Sequence, residues 1–404
     1  MSEMLITRAH PTNWPVVLML VGAGYCVTLQ AGKLPAAIPA LQSEFGVSIL
    51  SIGWLVSAVA AVAACIGVFI GSFVHRFGAR RMLLWGLALG AAGSALGAVS
   101  PNVHGLMLSR IIEGGGFIAA VVAVPPLLMS VSRSDDIPKV MASWTTYYPV
   151  GMGLMLILAP PLIQFAGWRS LWWMNAAVIG GWLLLIRRVT HRSTPAPIHN
   201  PALISAIRQD LAEMLRARSP LWLAVSFAAY AGQFLAIMAF LPLLLSQTAQ
   251  LSPAAATWIT AAVVFSNGLG NVLAGRGLGR WISIFAAIAV AGAVMALGSF
   301  LVFSANLPVW VRLAGVFMFS FVGGAIPAAT FARAAAMPLS LSSRAATIGL
   351  LVQGAAIGQF AGPPLLAAVI GEAGAWSEAP LYTIGCASIC VLAAYKARGE
   401  TPQS

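Results

Sequence analysis

Residues 110–125 read RIIEGGGFIAAVVAVP and residues 312–327 read RLAGVFMFSFVGGAIP; each apolar run opens on an arginine and closes on a proline fifteen positions later. Each run supplies most of a membrane span, which needs about 20 apolar residues. Other marks repeat at nearly the same offset. Gly151, Pro160, Pro161 and Leu162 reappear as Gly354, Pro363, Pro364 and Leu365, Gln30 and Pro39 as Gln233 and Pro242, and Arg76 and Arg80 as Arg276 and Arg280. A shift of about 200 residues superposes them, so the chain reads as one unit written twice. Duplicated helical bundles suit transporters, because two similar halves can rock about a site at their interface.

The composition agrees with this. Of 404 residues, 60% are hydrophobic and 8% charged, whereas a soluble domain carries roughly 25% charged residues. Apolar runs broken by charge, Pro and Gly predict spans at 15–40, 48–74, 82–99, 103–131, 140–165 and 169–187, then at 220–246, 253–275, 281–304, 308–332, 344–370 and 378–396. The expected fold is an all-α membrane protein with twelve transmembrane helices in two pseudo-symmetric six-helix bundles, at 1–187 and 220–404. The linker, 188–219, is expected to carry an amphipathic surface helix, since Ile204, Ile207, Leu211 and Leu215 recur at helical spacing.

A net charge of +12 can signal nucleic acid, but the basic residues lie between apolar runs instead of forming one patch. They read as topology signals. With the N-terminus inside, 18 of the 22 basic residues fall on the inner side, the exceptions being Lys33, Arg110, Arg169 and Arg312. The positive-inside rule then places both termini in the cytoplasm, which requires an even number of spans. No small-residue cleavage site follows the polar first thirteen residues, so the first span is expected to stay in place. The cysteines, Cys26, Cys65, Cys386 and Cys390, lie in apolar runs without histidine at metal-ligand spacing, and read as small hydrophobes. Ten acidic residues, nearly all in loops, and no HExxH or GxSxG motif argue against an enzyme. No cofactor, metal or nucleic acid is expected; the lipid bilayer is the surrounding partner.

The loop GSFVHRFGARR at 71–81 resembles the signature loop of the major facilitator superfamily, Gly-x-Leu-x-Asp-Arg-x-Gly-Arg-Arg. Gly71, Arg76, Gly78, Arg80 and Arg81 match, while Phe73 stands for the family leucine and His75 for the aspartate that helps latch the cytoplasmic side. LMLSRIIEGGG at 106–116 resembles the family's fourth-span pattern, through Arg110, Gly114 and Gly116, and GWRSLWWMNA at 167–176 its turn between spans five and six. VGMGLMLILAPPLI only partly resembles the antiporter motif, since Met155 and Ala159 stand where it has glycine. AGKLPAAIPALQSEFG at 31–46 resembles the bacterial cyanate and nitroimidazole transporter branch. The resemblance implies a monomeric secondary transporter of the bacterial inner membrane.

An ionisable group inside a span costs at least about 2.5–3.5 kcal/mol on insertion scales, so each one needs a reason. Arg110 and Glu113, three apart on one helical face, can pair; Glu113 is also a candidate proton carrier. Lys33 either lines a cavity or snorkels outward. Arg312 has Gly315 where Glu113 would be, and wants an anion or a headgroup. These four sum to +2, which favours an anionic solute. Gln30, Gln233, Tyr147 and Tyr148 lead the uncharged cavity candidates, ahead of Trp144, Tyr230, Asn267, Asn271, Gln353 and Gln359; each can equally serve as helix–helix glue. The function read here is alternating-access transport of a small anion, coupled to protons through Arg110 and Glu113, with a proton-driven exporter of drugs or secreted metabolites as the alternative. A membrane enzyme or receptor that kept the fold is the alternative of another class.

Overall fold

The structure, a computed structural model, describes residues 11–189, 213, 216–278, 280–371 and 374–398. Among the described residues twelve helices are long and apolar enough to cross a membrane. Hydrocarbon offers backbone N–H and C=O groups no water, and a helix satisfies them within its own segment. Spans 1 to 4 are Trp14–Phe45, Ile49–Phe77, Ala79–Ala98 and Val103–Ser130. Span 5 comes in two pieces, Ile137–Trp144 and Tyr147–Ala166, and span 6 is Arg169–Val189. In the second half spans 7 to 9 are Ser219–Thr248, Pro253–Gly277 and Ile284–Phe303; span 10 is split into Val309–Gly323 and Ala325–Ala335; span 11 is Leu341–Ile370 and span 12 Ala379–Lys396.

All twelve expected spans are present. Both breaks depart from the continuous helices expected over 140–165 and 308–332. Pro149 has no N–H to give to the carbonyl of Thr145, and Pro327 has none for that of Gly323, so each helix loses a bond just where it interrupts. Neighbours hold the interruptions open. Thr146 Oγ1 donates to Ser143 O at 2.7 Å and lies 3.0 Å from Tyr25 Oη, while the backbone of Asn267 occupies the space that a Cβ on Gly324 would need.

Within each half, packing uses the residues that repeat in the sequence. A Cβ on Gly151 of span 5 would lie 2.7 Å from Tyr25 O of span 1, and one on its repeat mate Gly354 of span 11 would lie 2.7 Å from Ala224 O of span 7. The backbones therefore touch, which lets small residues drive helix association where lipid removes the hydrophobic incentive. The two halves meet along spans 2 and 11 and along spans 5 and 8. Ser57 Oγ donates to Gln359 O at 3.4 Å, Gln353 Nε2 to Ala64 O at 2.9 Å, and Trp258 Nε1 to Ile157 O at 3.2 Å.

At the turn joining spans 2 and 3, Gly78 has φ +85°, a conformation that L side chains rarely adopt. In the linker, the Glu213 carboxylate accepts from Ser340 N at 3.2 Å, Ser340 Oγ at 3.0 Å and Ser343 Oγ at 2.5 Å, at the N-terminus of span 11. Those donors hold its carboxyl below the usual range, Ser343 foremost. The expected linker helix of Ile204, Ile207, Leu211 and Leu215 lies outside the described residues, as do the side chains of His75 and Arg76.

Two glycines of span 11 separate contact from mere presence. A Cβ on Gly358 would run into the carbonyl oxygen of Ala228, whereas one on Gly349 meets nothing within 4 Å. We expect Gly358→Ala to destabilise the detergent-solubilised protein by about 1–3 kcal/mol through overpacking, and Gly349→Ala to be neutral or stabilising by up to about 1 kcal/mol. Thermal unfolding midpoints measure the difference; equal midpoints would count against the backbone contact.

Candidate functional site

Glu113, in the middle of span 4, has no exposed side-chain surface and is met from three helices. Its Oε1 accepts from the Lys33 ammonium of span 1 and from the Ser94 hydroxyl of span 3, and its Oε2 from Arg110 Nη1 at 2.5 Å. Lys33 also donates to Ser94 Oγ at 3.2 Å, and span 6 closes the group with Asn175 Nδ2 donating to Ser94 Oγ at 2.9 Å. The ring of Trp172 lies under the ammonium, 4.7 Å from its centroid. Gly93 makes room: a Cβ there would lie 2.8 Å from Glu113 N. Two cations thus share one anion in a buried space, a net charge of +1.

The expected Arg110–Glu113 pair is present. Lys33 does not snorkel; it is 0% exposed and turned inward to Glu113. A carboxylate in reach outweighs a stem stretched toward the interface, because unpaired burial of either ion would cost several kcal/mol.

Arg312 proves not to be short of partners. Its Nε donates to Val302 O at 3.0 Å, Nη1 to Thr248 O at 3.2 Å and Nη2 to Thr248 Oγ1 at 2.5 Å. Both carbonyls end helices, spans 9 and 7, where orphan carbonyls and the macrodipole attract a cation. The arginine is 1% exposed, so neither a snorkelling role nor an open anion hook describes it here. Arg169, the remaining exception to the charge pattern, pairs with Glu44 at 2.7 Å and donates to Ser100 O at 3.2 Å.

The break in span 5 places a group of rings beside the ionic cluster. Trp144 stacks on Tyr147 with centroids 4.6 Å apart, and Phe117 of span 4 lies 6.3 Å from Tyr147 and 6.5 Å from Tyr148. Tyr25, Phe117, Tyr147 and Tyr148 are half-buried, whereas Lys33, Arg110 and Glu113 are buried. Phe117 of the ring group stands one helical turn beyond Glu113 on span 4, and Arg110 Nη2 donates to Gln30 O at 3.3 Å. Gln30 is therefore used through its backbone. Gln233, its mate on span 7, is fully buried, and neither side-chain atom has a partner among the described residues. Tyr230 and Asn267 bond each other, with Asn267 Nδ2 also donating to Ser320 O at 2.8 Å, as helix glue does. In the signature loop, Arg80 Nη2 donates to Arg187 O at 3.3 Å, while Arg81 is exposed.

Ser94, Trp172 and Asn175 were not among the candidates. The pairing of Gly93 with Ser94, and Asn175 within GWRSLWWMNA, were the signals that could have found them.

Residues 18–363 match the family model described as Major Facilitator Superfamily. The chain is 33% identical over 106 residues to the inner membrane transport protein YajR of Escherichia coli K12, covering 26% of this chain and 23% of that protein. It is 28% identical over 165 residues to the galactose-proton symporter of the same strain, covering 41% and 35%, and 26% identical over 183 residues to the lincomycin resistance protein of Streptomyces lincolnensis, covering 44% and 37%. The matches thus span less than two fifths of those relatives' length. Among solved structures, a bacterial homolog to the human lysosomal transporter Spinster, inward-facing and occupied, superposes with a TM-score of 0.76 over 96% of this chain and 97% of that one, at 14% identity. A nucleoside transporter, NupG, gives 0.75 over 95% and 99% at 12% identity. At such identities the likeness shows the fold alone.

The shared carboxylate makes an asymmetric prediction. Glu113→Gln leaves two buried cations without an anion and should cost about 3–5 kcal/mol, the usual penalty for breaking a buried ion pair from one side. Lys33→Gln leaves Arg110 and Glu113 as a neutral pair and should cost less. Thermal midpoints in detergent check this, and the reverse order would refute the sharing.

Proposed function

Since the chain belongs to the major facilitator superfamily, we propose that it is a secondary active transporter that carries a small anionic solute by alternating access, coupled to protons through Lys33, Arg110 and Glu113. The observation that carries this reading is the surplus positive charge of the buried cluster, one helical turn along span 4 from Phe117, whose half-buried ring group with Tyr25, Tyr147 and Tyr148 would line the cleft. At an effective dielectric of about 20, a unit charge acting over about 8 Å attracts an anion by about 2 kcal/mol, a factor of roughly 30 in affinity. Tyr147 and Tyr148 would supply rings and hydroxyls to the solute, and the unpartnered amide of Gln233 a further pair of hydrogen bonds once the halves move. Arg312 drops out of the binding set, since helix-end carbonyls already engage it.

The rocking bodies would be residues 1–187 and 220–404, joined by 188–219. The distribution of basic residues supports cytoplasmic termini in the inner membrane of a bacterium. Contacts at Gly53 with Pro363 and Pro364, and at Trp258 with Ile157, lie toward the opposite end, so the cleft of this state would open to the cytoplasm. The stretch at 31–46 supports a place beside the cyanate and nitroimidazole transporter branch, and the monomer is the working unit. The ring-lined cleft also suits an amphipathic drug, which keeps the exporter as the second reading.

Purified protein in liposomes, given a panel of small anions and neutral or cationic amphiphiles with and without an imposed pH gradient, tests the proposal. Anion uptake should rise with an inward-directed proton gradient, and Tyr148→Phe should raise KM by about two- to tenfold, the worth of one hydrogen bond. Movement of the amphiphiles in place of the anions would favour export, and an anion flux indifferent to the gradient would remove the coupling.

A further inference from the structure

We infer that the coupled proton is carried on Lys33 Nζ and not on the Glu113 carboxylate, so that a proton and a singly charged anion cross together with no net charge moved. This inference rests on the transport reading above and names the group within that cluster. Three protonation states of the cluster need comparing. A guanidinium does not deprotonate in proteins, so Arg110 is a fixed positive charge. Protonating Glu113 would leave Lys33 and Arg110 as two cations with no anion in a space where the three side chains are at most 2% exposed. Removing the proton from Lys33 instead leaves the neutral Arg110–Glu113 pair, whose own bond at 2.5 Å is intact. The accessible states are therefore a cluster of charge +1 and a cluster of charge zero, and the proton that separates them sits on Lys33.

The surroundings of Lys33 support both states. Glu113 and the face of Trp172 favour the ammonium; Arg110 opposes it. Span 3 presents only the hydroxyl of Ser94, and span 6 only Trp172 and, through Ser94, the amide of Asn175. Span 5 contributes the phenols of Tyr147 and Tyr148, packed against Phe117. Among the described residues the ions paired in this cluster are Lys33, Glu113 and Arg110 alone.

The internal repeat separates this role from a structural one. Arg110 has its mate in Arg312, and the bond of Asn175 to Ser94 between spans 6 and 3 has its counterpart in the bond of Thr383 with Ser299 between spans 12 and 9. The second half keeps that polar framework but has Ala236 at the position of Lys33 and Gly315 at that of Glu113. Six packed helices of this design do not need the lysine–glutamate pair.

The balance is simple. Water on the side to which the cleft opens gives a proton to the lone pair of neutral Nζ, forming an N–H bond and bringing the cluster to +1. An anion in the cleft stabilises that charge. On the far side, loss of the anion removes the stabilisation and the proton returns to water. No electrons are transferred, and the loaded carrier differs from the empty one by one proton and one negative charge.

Two readouts test this on the full chain in liposomes. Without solute, tryptophan emission of the wild type should show a one-proton step on pH titration, because the Trp172 ring lies 4.7 Å from Nζ. The step should vanish in Lys33→Gln, Lys33→Arg and Trp172→Phe. With a transported monoanion, the ratio of uptake with and without a pH gradient should fall to one in both Lys33 variants, and clamping the membrane voltage should leave wild-type uptake unchanged. Lys33→Arg keeps the ion pair yet cannot shed its proton, so it decides between the outcomes should Lys33→Gln fail to fold. A step or a gradient response that survives in either Lys33 variant overturns the inference, as does voltage-dependent uptake. Should the wild type move no anion of the panel while its emission step depends on Lys33, the anion reading fails and the proton assignment stands.

Discussion

A carboxylate with no access to water cannot stand alone, and Glu113 is that carboxylate. It needs counter-charges and donors, and they come from Lys33 and Ser94 as well as from Arg110 on its own helix. Spans 1, 3 and 4 are thereby fixed in rotation as well as in place, because turning any of them by one residue would point its polar group elsewhere. Span 6 is drawn in behind them through Asn175 and Trp172. Apolar packing brings helices together without telling them which face to use, and in the first half the buried ions supply that instruction. Such ionic networks add little net stability, since desolvation offsets much of the attraction; what they contribute here is register.

The second half reaches the same architecture without a buried ion pair among its described residues. Its charged group at depth, Arg312, is consumed by the ends of spans 7 and 9, and its buried polar contacts, Tyr230 with Asn267 and Ser299 with Thr383, are neutral. A duplicated fold with a chemically unequal pair of halves separates two tasks. On the proposed reading, one half would change its charge while the other would be the steady partner against which it moves. The aromatic group sits at the break of span 5 in the same half as the ions, so on the proposed reading solute recognition would lie next to the group that responds to it.

Much of this was legible in the sequence because it depends on local spacing. Apolar run length gives the spans, and the offset of about 200 gives the two bundles, whose shared marks Gly151 and Gly354 turn out to be backbone contacts. Arg110 and Glu113 could be paired because three residues on a helix bring side chains to one face. Lys33 could not be joined to Glu113, since they are 80 residues apart and their meeting depends on how spans 1 and 4 cross. The same holds for Arg312, whose partners are carbonyls, which every residue carries and no sequence pattern marks. The interruptions at Pro149 and Pro327 were missed because proline alone does not break these helices: spans 1, 4 and 7 run on through theirs. What differs is the neighbour that fills the opening, Tyr25 in one case and the backbone of Asn267 in the other.

For two halves to rock, the seam between them must be softer than either bundle. Helices touch backbone to backbone inside each half, as at Gly151 on Tyr25 and Gly354 on Ala224, and also across the seam, as at Gly53 on Pro363; the ions belong to the interior of the first half alone. Across the seam the bonds of Ser57, Gln353 and Trp258 each end on a helix carbonyl whose own ladder bond does not depend on them. Each such bond is worth about 0.5–1.5 kcal/mol net, and one that opens onto a water-filled cleft is exchanged for a bond to water. Breaking an internal contact offers no such exchange, because lipid has no donor to give. On the transport reading, the difference in solvent, more than any difference in the number of bonds, would make the seam between the halves the place where this molecule moves.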